Sequence, residues 1–207
     1  GGIVPYRYRR TNFHNAVQWA AGLELFLLVS DPSRLFFTTD HPNGAPFTAY
    51  PDLFALLMDR DLRAQWIATL PAEAMAVCTL PSLTREYSWT EIATMTRAAP
   101  ARLLGLSDRG HLGPGARADV AVYRPQADRA AMFRTAALVL KDGRAIVCGG
   151  EVLATPFGRV LSVCPGYDRA IDQRLAAYYD QTYGVAHTAF DVPARAIPGS
   201  ELVACRT

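Results

Sequence analysis

Residues 38–44, Thr-Thr-Asp-His-Pro-Asn-Gly, have the side chains in this sequence that are best suited to chemistry. They follow residues 35–37, Leu-Phe-Phe, a short apolar stretch that predicts a buried strand. In sheets of parallel strands, catalytic groups lie where a strand ends and its loop begins. Asp40 therefore occupies a position suited to catalysis. A structural interpretation stays open, in which Asp40 caps the next helix and His41 is an ordinary loop residue.

The composition is that of an ordinary globular chain. The 207 residues include 21 Lys and Arg and 19 Asp and Glu, and a net charge of +2 gives no basis for nucleic-acid binding. No apolar stretch is as long as a membrane span, and no signal peptide is recognisable. The four cysteines are scattered, which favours reduced thiols and a cytoplasmic protein. Because the sequence starts without methionine, we expect a processed, split or incomplete polypeptide.

The first half of the chain has mainly helical periodicity. Apolar residues on one face of 13–20 predict a helix that Gly22 interrupts. Pro51 is placed to open a second helix, and Asp61 to start a third. The clearest local signal is the capping box formed by Ser88 and Glu91, which predicts the first residues of a further helix.

The pattern changes after residue 107. Glycines and a proline in 110–115 indicate turns and precede a predicted strand instead of opening a helix, which argues against a phosphate-binding loop. Asp142 and Gly143 lie between two apolar runs and predict a tight β-hairpin. A further helix is expected after Asp168. The pattern thus divides the chain into 1–107, 108–165 and 166–207.

Two segments resemble the C-terminal part of the metal-dependent amidohydrolase superfamily. Residues 96–106, Thr-Arg-Ala-Ala-Pro-Ala-Arg-Leu-Leu-Gly-Leu, are similar to its last barrel helix. Residues 110–120, with a Gly-x-Leu-x-Pro-Gly…Ala-Asp pattern, resemble its return into a flanking β-sandwich, where Asp119 would order a turn. The resemblance implies an α/β fold. Residues 1–107 would form the last strands and helices of a (β/α)₈ barrel, 108–165 a β-sandwich segment, and 166–207 a C-terminal helix and wrapping tail.

A closer resemblance covers nearly the whole chain. Residues 17–25, 38–47 and 108–113 are similar to the family that comprises the A subunits of formylmethanofuran dehydrogenase and of the related bacterial formyltransferase/hydrolase complexes. The most specific match is the run at 38–44. Membership of that family would imply hydrolysis of N-formylmethanofuran to formate and methanofuran, or the reverse condensation. The reaction would take place in a multisubunit complex of one-carbon metabolism.

The resemblance also implies roles for residues in the 38–44 run. Asp40 would end the eighth barrel strand, contact a metal and shuttle a proton. His41 and Asn43 would bind substrate, although His41 can equally support the loop, and an asparagine before glycine also suits a tight turn. The implied cofactors are two divalent metal ions, zinc in most such enzymes, with methanofuran as the substrate carrier.

The chain has too few candidate ligands for that metal centre. It has no His-x-His pair, its four histidines are isolated, and its single lysine, Lys141, precedes the predicted hairpin turn. We therefore expect the remainder of the subunit to supply the His-x-His and lysine ligands, other subunits of the complex to be partners, and this chain alone to be inactive. Two alternatives remain. One is a non-catalytic assembly subunit that keeps the fold, and the other is a hydantoinase-like cyclic-amide hydrolase.

Overall fold

A computed structural model describes residues 8–37, 41, 46–163, 167–190 and 201–203. It has a mixed α/β architecture and divides into two compact units, Gly1–Thr155 and Pro156–Thr207. Among the described residues, no helix combines the length and the apolar character needed to cross a membrane.

The first unit is mainly helical before its sheet begins. Its described α-helices are α1 (Phe13–Leu28), α2 (Tyr50–Met58), α3 (Arg60–Ile67), α4 (Ala72–Met75), α5 (Trp89–Ala93), α6 (Ala99–Leu103) and α7 (Arg129–Arg134). Short 3₁₀ turns lie at Pro32–Arg34, Phe47–Ala49 and Leu80–Ser82.

Helix α1 runs without a break through Gly22, so the predicted interruption is wrong. An isolated glycine in a helix costs only about 1 kcal/mol relative to alanine, which tertiary packing readily offsets. The buried side chains of α1 provide that packing, since Leu23, Phe26 and Leu27 follow the glycine directly into the core. Asn12 caps the helix by accepting a hydrogen bond from the Asn15 amide.

Helices α2 and α3 follow one another almost directly. Pro51 lies in the first turn of α2, as predicted. Helix α3 begins two residues before the predicted start, because Asp59 rather than Asp61 is its N-cap and accepts a hydrogen bond from the Leu62 amide at 2.8 Å.

The predicted capping box is confirmed at the start of α5. Ser88 accepts a hydrogen bond from the Glu91 amide, and the Glu91 carboxylate accepts one from the Ser88 amide at 2.8 Å. The helix then continues through a π-helical turn, Thr94–Ala98, into α6. Gly105 ends it with φ +70°, a left-handed conformation that suits glycine.

Residues 35–37 are not part of a strand in the described chain, so the expectation of a buried strand is wrong there. Leu35 has an extended backbone, with φ −128° and ψ 142°, but no neighbouring described segment forms the ladder that defines a strand. Phe37 nevertheless packs against the main core. That core also contains Tyr87, which is 2 % exposed and donates its hydroxyl hydrogen bond to the Phe26 carbonyl at 2.6 Å.

The first unit ends in a four-stranded antiparallel sheet in the order β1-β2-β3-β4. Asp142 and Gly143 connect β2 to β3 with φ of +49° and +79°, as a two-residue hairpin turn requires, which confirms the predicted hairpin. The strands are β1 (Val120–Val122), β2 (Leu138–Lys141), β3 (Arg144–Cys148) and β4 (Glu151–Val152).

In the second unit, the described residues include a parallel pair, β5 (Leu161–Val163) and β6 (Glu201–Val203). Helix α8 (Ile171–Tyr183) confirms the helix expected after Asp168 and ends at Gly184, with φ +63°. A 3₁₀ turn at His187–Phe190 follows, where the ring of His187 lies 5.2 Å from that of Tyr179.

Candidate active site

The candidate site is the segment between Phe37 and Phe47, whose described flanks pack in the aromatic part of the core. Asp40 and Asn43 lie outside the described residues, so their predicted roles stay predictions. The two sides of the loop are anchored close together, because the rings of Phe37 and Tyr50 are 5.8 Å apart. Phe37 also contacts the ring of Phe26, at 4.3 Å between centroids. These contacts fix the ends of the segment that contains Asp40.

His41 is the one candidate residue that the structure describes. It is exposed, and its Nδ1 accepts a long hydrogen bond, 3.4 Å, from the Phe47 amide. The two rings are also in contact, with centroids 4.5 Å apart. A backbone N–H requires an unprotonated acceptor, so in the neutral imidazole this contact places the proton on Nε2. The contact holds His41 within its own loop and leaves Nε2 as a hydrogen-bond donor for another group.

Two other histidines have structural surroundings. His111 spans its own turn, since its Nδ1 accepts from the Gly113 amide at 3.1 Å and its Nε2 lies 3.0 Å from the Ser107 carbonyl oxygen. Both ring nitrogens therefore have backbone partners, so His111 supports the turn in which it lies. His14 packs edge-on against Phe13.

The described ranges contain no group of three histidine, cysteine, aspartate or glutamate side chains that could hold a metal ion. Lys141 is in an ion pair with Asp119, with 2.6 Å between Nζ and Oδ2, and it lies in strand β2 as it enters the hairpin. It is therefore not placed to bridge two cations. The predicted metal ligand Asp40 supplies one carboxylate, which is too few for a binuclear centre.

Charged side chains hold both ends of the glycine-rich segment at 110–115, which precedes β1. Asp119 accepts a hydrogen bond from the Asp142 amide at 2.9 Å and one from Lys141, which confirms that it orders a turn. Asp108 accepts from Arg109 at 3.0 Å and from Arg117 at 2.5 Å. Those two hydrogen bonds hold the pKa of the Asp108 carboxyl well below its usual range.

Sequence reasoning did not identify the aromatic side chains that anchor the loop. Tyr50 and Phe54 lie one helical turn apart on α2 and stack at 5.9 Å, and Phe54 also contacts Phe37 at 5.7 Å. The i, i+4 spacing of two aromatic residues just after a loop was a usable signal. The spacing alone does not reveal that these two rings contact Phe37, which precedes the loop, because that contact depends on tertiary packing.

Comparison with known protein families identifies the class of protein to which this chain belongs. A model of the amidohydrolase family matches residues 3–154. The chain therefore belongs to the amidohydrolase family.

Particular relatives are similar over most or all of the chain. The A subunit of the formyltransferase/hydrolase complex Fhc from Methylorubrum extorquens is 50% identical over 210 residues, which include 100% of this chain and 38% of that protein. Protein FwdA from Methanocaldococcus jannaschii is 40% identical over 170 residues, 78% of this chain and 30% of that protein. The chain thus spans well under half the length of these relatives.

A solved structure agrees with these sequence matches. The X-ray crystal structure of the formyltransferase/hydrolase complex from Methylorubrum extorquens with methylofuran contains a chain that matches with a TM-score of 0.84 and 50% identity. The match covers 100% of this chain and 38% of the crystallised one. The described fold therefore matches one part of the crystallised chain, which is a much longer polypeptide.

Proposed function

We propose that this chain is the C-terminal portion of a binuclear-metal formyl hydrolase subunit that works inside a multisubunit complex. The reaction is the cleavage of N-formylmethanofuran to formate and methanofuran, or the reverse condensation. The observation that carries the proposal is the similarity to the A subunit of the Fhc complex, 50% identical with no part of this chain left out. A match of this extent makes a hydantoinase-like cyclic-amide hydrolase the weaker alternative.

The proposal includes the finer architecture. Residues 1–107 are the last strands and helices of an amidohydrolase (β/α)₈ barrel, 108–165 a segment of the flanking β-sandwich, and 166–207 a C-terminal helix and tail. In such a barrel, the loop between Phe37 and Phe47 lies at the catalytic end, where the strands finish. The aromatic anchors at Phe37 and Tyr50 give the loop a fixed base.

Within that loop, Asp40 moves the proton. Two divalent metal ions, zinc in this proposal, supply an acidified water and a polarised formyl carbonyl when they are bound. Asp40 binds at the same centre, accepts the proton of the attacking water, and delivers it to the amine nitrogen that leaves as methanofuran. The nearby positive charge favours its carboxylate form, so it holds the proton only transiently.

His41 and Asn43 bind the substrate in this proposal. For His41, the contact of its Nδ1 with the Phe47 amide leaves Nε2–H as a donor, which suits a formyl or carrier oxygen. Asn43 offers an amide that can both donate and accept hydrogen bonds.

The chain alone is inactive in this proposal. The described residues hold no cluster of three metal-ligating side chains, and the sequence has no His-x-His pair. The remainder of the subunit therefore supplies most ligands, and other subunits of the complex complete the enzyme. A cytoplasmic location stays a prediction. The alternative of a non-catalytic assembly subunit predicts an assembled complex without metal in this subunit.

The test compares the assembled complex with its Asp40→Asn variant by metal analysis and by formate release. We expect about two divalent ions per parental subunit. The variant should assemble normally and lose at least about 10³-fold in turnover, because the proton shuttle is removed. Asp61→Asn, an exposed aspartate in the first turn of α3, is the matched control and should leave turnover unchanged. Near-normal turnover of Asp40→Asn would remove Asp40 from the mechanism, and an assembled parental complex without metal would favour the non-catalytic alternative.

A further inference from the structure

Phe47 is a large apolar side chain at the end of the candidate segment, and the described chain leaves most of it uncovered. It is 56 % exposed, whereas Phe37 and Phe54 of the neighbouring aromatic cluster are partly buried against the main core. A ligand that covered the Phe47 ring would remove apolar surface from water, which is favourable. Single exposed apolar residues are common in proteins, so a role for Phe47 depends on what holds its ring and what lies beside it.

The backbone of Phe47 is held in a short, hydrogen-bonded turn. Pro46, whose ring restricts φ, precedes it and accepts a hydrogen bond from the Ala49 amide at 2.9 Å. The Phe47 carbonyl oxygen accepts a hydrogen bond from the amide of Tyr50, the first residue of α2. The Tyr50 ring is in turn held against Phe37. Because the backbone is already ordered, a ligand that binds the Phe47 ring loses little affinity to ordering it.

Phe47 also contacts His41 through both its backbone and its ring. The Phe47 amide donates to His41 Nδ1 at 3.4 Å, and the two ring centroids are 4.5 Å apart with an angle of 50° between the ring planes. His41 is itself exposed, and its Nε2–H is left as a hydrogen-bond donor. The pair therefore places a polar donor beside an uncovered aromatic ring, which suits a flat ring that has a carbonyl oxygen close to it.

We propose that the Phe47 ring contacts the furan ring of the substrate while His41 Nε2–H donates to its formyl oxygen. The inference rests on the proposed function and deepens it, since it makes Phe47 a residue that determines specificity. N-formylmethanofuran is an aminomethylfuran, in which one methylene group joins a flat aromatic ring to the formylated nitrogen. Aromatic rings attract one another in tilted or offset arrangements, with centroids about 4.5–7 Å apart. The spacer between furan and formyl oxygen is short, comparable with the 4.5 Å between the two side-chain rings, so one substrate molecule can reach both.

Replacing Phe47 by leucine separates contact with the substrate from support of the loop. Leucine keeps an apolar side chain and the backbone amide, so the hydrogen bond to His41 Nδ1 is retained. What is lost is the aromatic ring. Beyond its buried area, an aromatic pair changes a binding constant by about twofold to tenfold. The variant should therefore lose the ability to distinguish an aromatic ring from a saturated ring of the same size.

The test measures inhibition of formate release from N-formylmethanofuran in the assembled complex by two amines, furfurylamine and its saturated analogue tetrahydrofurfurylamine. We expect the parental complex to bind furfurylamine about threefold or more tightly than the analogue, and Phe47→Leu to abolish that preference. Phe47→Tyr keeps an aromatic ring and should retain the preference. Phe157→Leu, at a fully exposed phenylalanine of the second unit, is the matched control and should behave as the parental complex does.

The kinetic constants for N-formylmethanofuran give a second measurement. In Phe47→Leu, KM should rise about threefold to tenfold and kcat should change little, because the furan contact is the same in the ground state and in the transition state. A side chain that only supported the loop would, when replaced, lower kcat and weaken the binding of both amines equally. The inference is overturned by that result, by equal binding of the two amines to the parental complex, by a furan preference that Phe47→Leu retains, or by no inhibition by furfurylamine.

Formate release by the parental complex separates this inference from the proposed function. A parental complex that releases no formate from N-formylmethanofuran overturns the proposed function, and the role of Phe47 falls with it. An active parental complex whose furan preference survives in Phe47→Leu overturns the role of Phe47 alone.

Discussion

Replacing Arg63 by methionine tests how the helices after the candidate loop are held. Arg63 is 1 % exposed, and its guanidinium donates to the carbonyl oxygens of Leu56 at 2.7 Å, Leu83 at 3.2 Å and Arg85 at 2.9 Å. Leu56 lies in the last turn of α2, where carbonyl groups have no partner within the helix. Arg63 therefore caps α2 and ties it to the segment that leads to α5. Burial lowers the pKa of Arg63, but an arginine stays charged in proteins.

The expected loss of stability follows from these three contacts. The Leu56 contact is fully buried, and an unsatisfied buried acceptor costs about 1–3 kcal/mol. The Leu83 and Arg85 carbonyls are half-buried and can recover part of their hydrogen bonding from water, so together they add about 1 kcal/mol. Methionine has a similar length and fills most of the volume, which limits any cavity. We expect Arg63→Met to lower the free energy of unfolding by about 2–4 kcal/mol.

The assay is urea unfolding of the chain followed by far-ultraviolet circular dichroism. With a denaturant slope of about 2–3 kcal/mol/M, the midpoint should fall by about 1 M. Arg60→Met is the matched control, since Arg60 is exposed on the same helix, and it should shift the midpoint little. If Arg63→Met fails to fold, Arg63→Lys, which keeps the charge, should give an intermediate loss. A midpoint for Arg63→Met equal to that of Arg60→Met would refute the reasoning.

Three further predictions concern the same unit. Gly110→Ala should lower the free energy of unfolding in urea by about 2–4 kcal/mol. The reason is that Gly110 has φ +80° and that a new Cβ would lie 2.6 Å from the Ala101 Cβ. Unchanged stability would contradict the packing of that turn. Tyr87→Phe should cost about 1–2 kcal/mol through the lost hydrogen bond to Phe26, and a neutral thermal shift would show that the bond contributes nothing. The depressed pKa of Asp108 adds stability above the unfolded pKa of about 3.9 that is lost as the pH falls below it, so Asp108→Asn should flatten the acid limb of the stability curve.

The sequence itself determined the features that depend on residues within a few positions of one another. The capping box of Ser88 and Glu91 and the Asp142-Gly143 hairpin are set by local backbone geometry, and both are confirmed. The resemblance to amidohydrolases is confirmed by the family match over residues 3–154. The shortage of metal ligands was also readable, because the types and spacing of histidines and lysines are properties of the sequence.

Tertiary structure decided the features that join distant residues. The fragment Arg-Asp-Leu-Arg-Ala-Gln of α3 reads as an exposed, charged surface, yet Arg63 is buried because three carbonyls from two other segments surround it. The apolar run at 35–37 predicts a strand for Phe37. Its aromatic partners on the other side of the loop instead hold Phe37 in place without the hydrogen-bond ladder of a sheet. The rings of Phe54 and Phe133, whose centroids are 5.2 Å apart, likewise come from distant parts of the sequence. Burial is a property of the three-dimensional neighbourhood, and residues tens of positions apart create that neighbourhood only once the chain has folded.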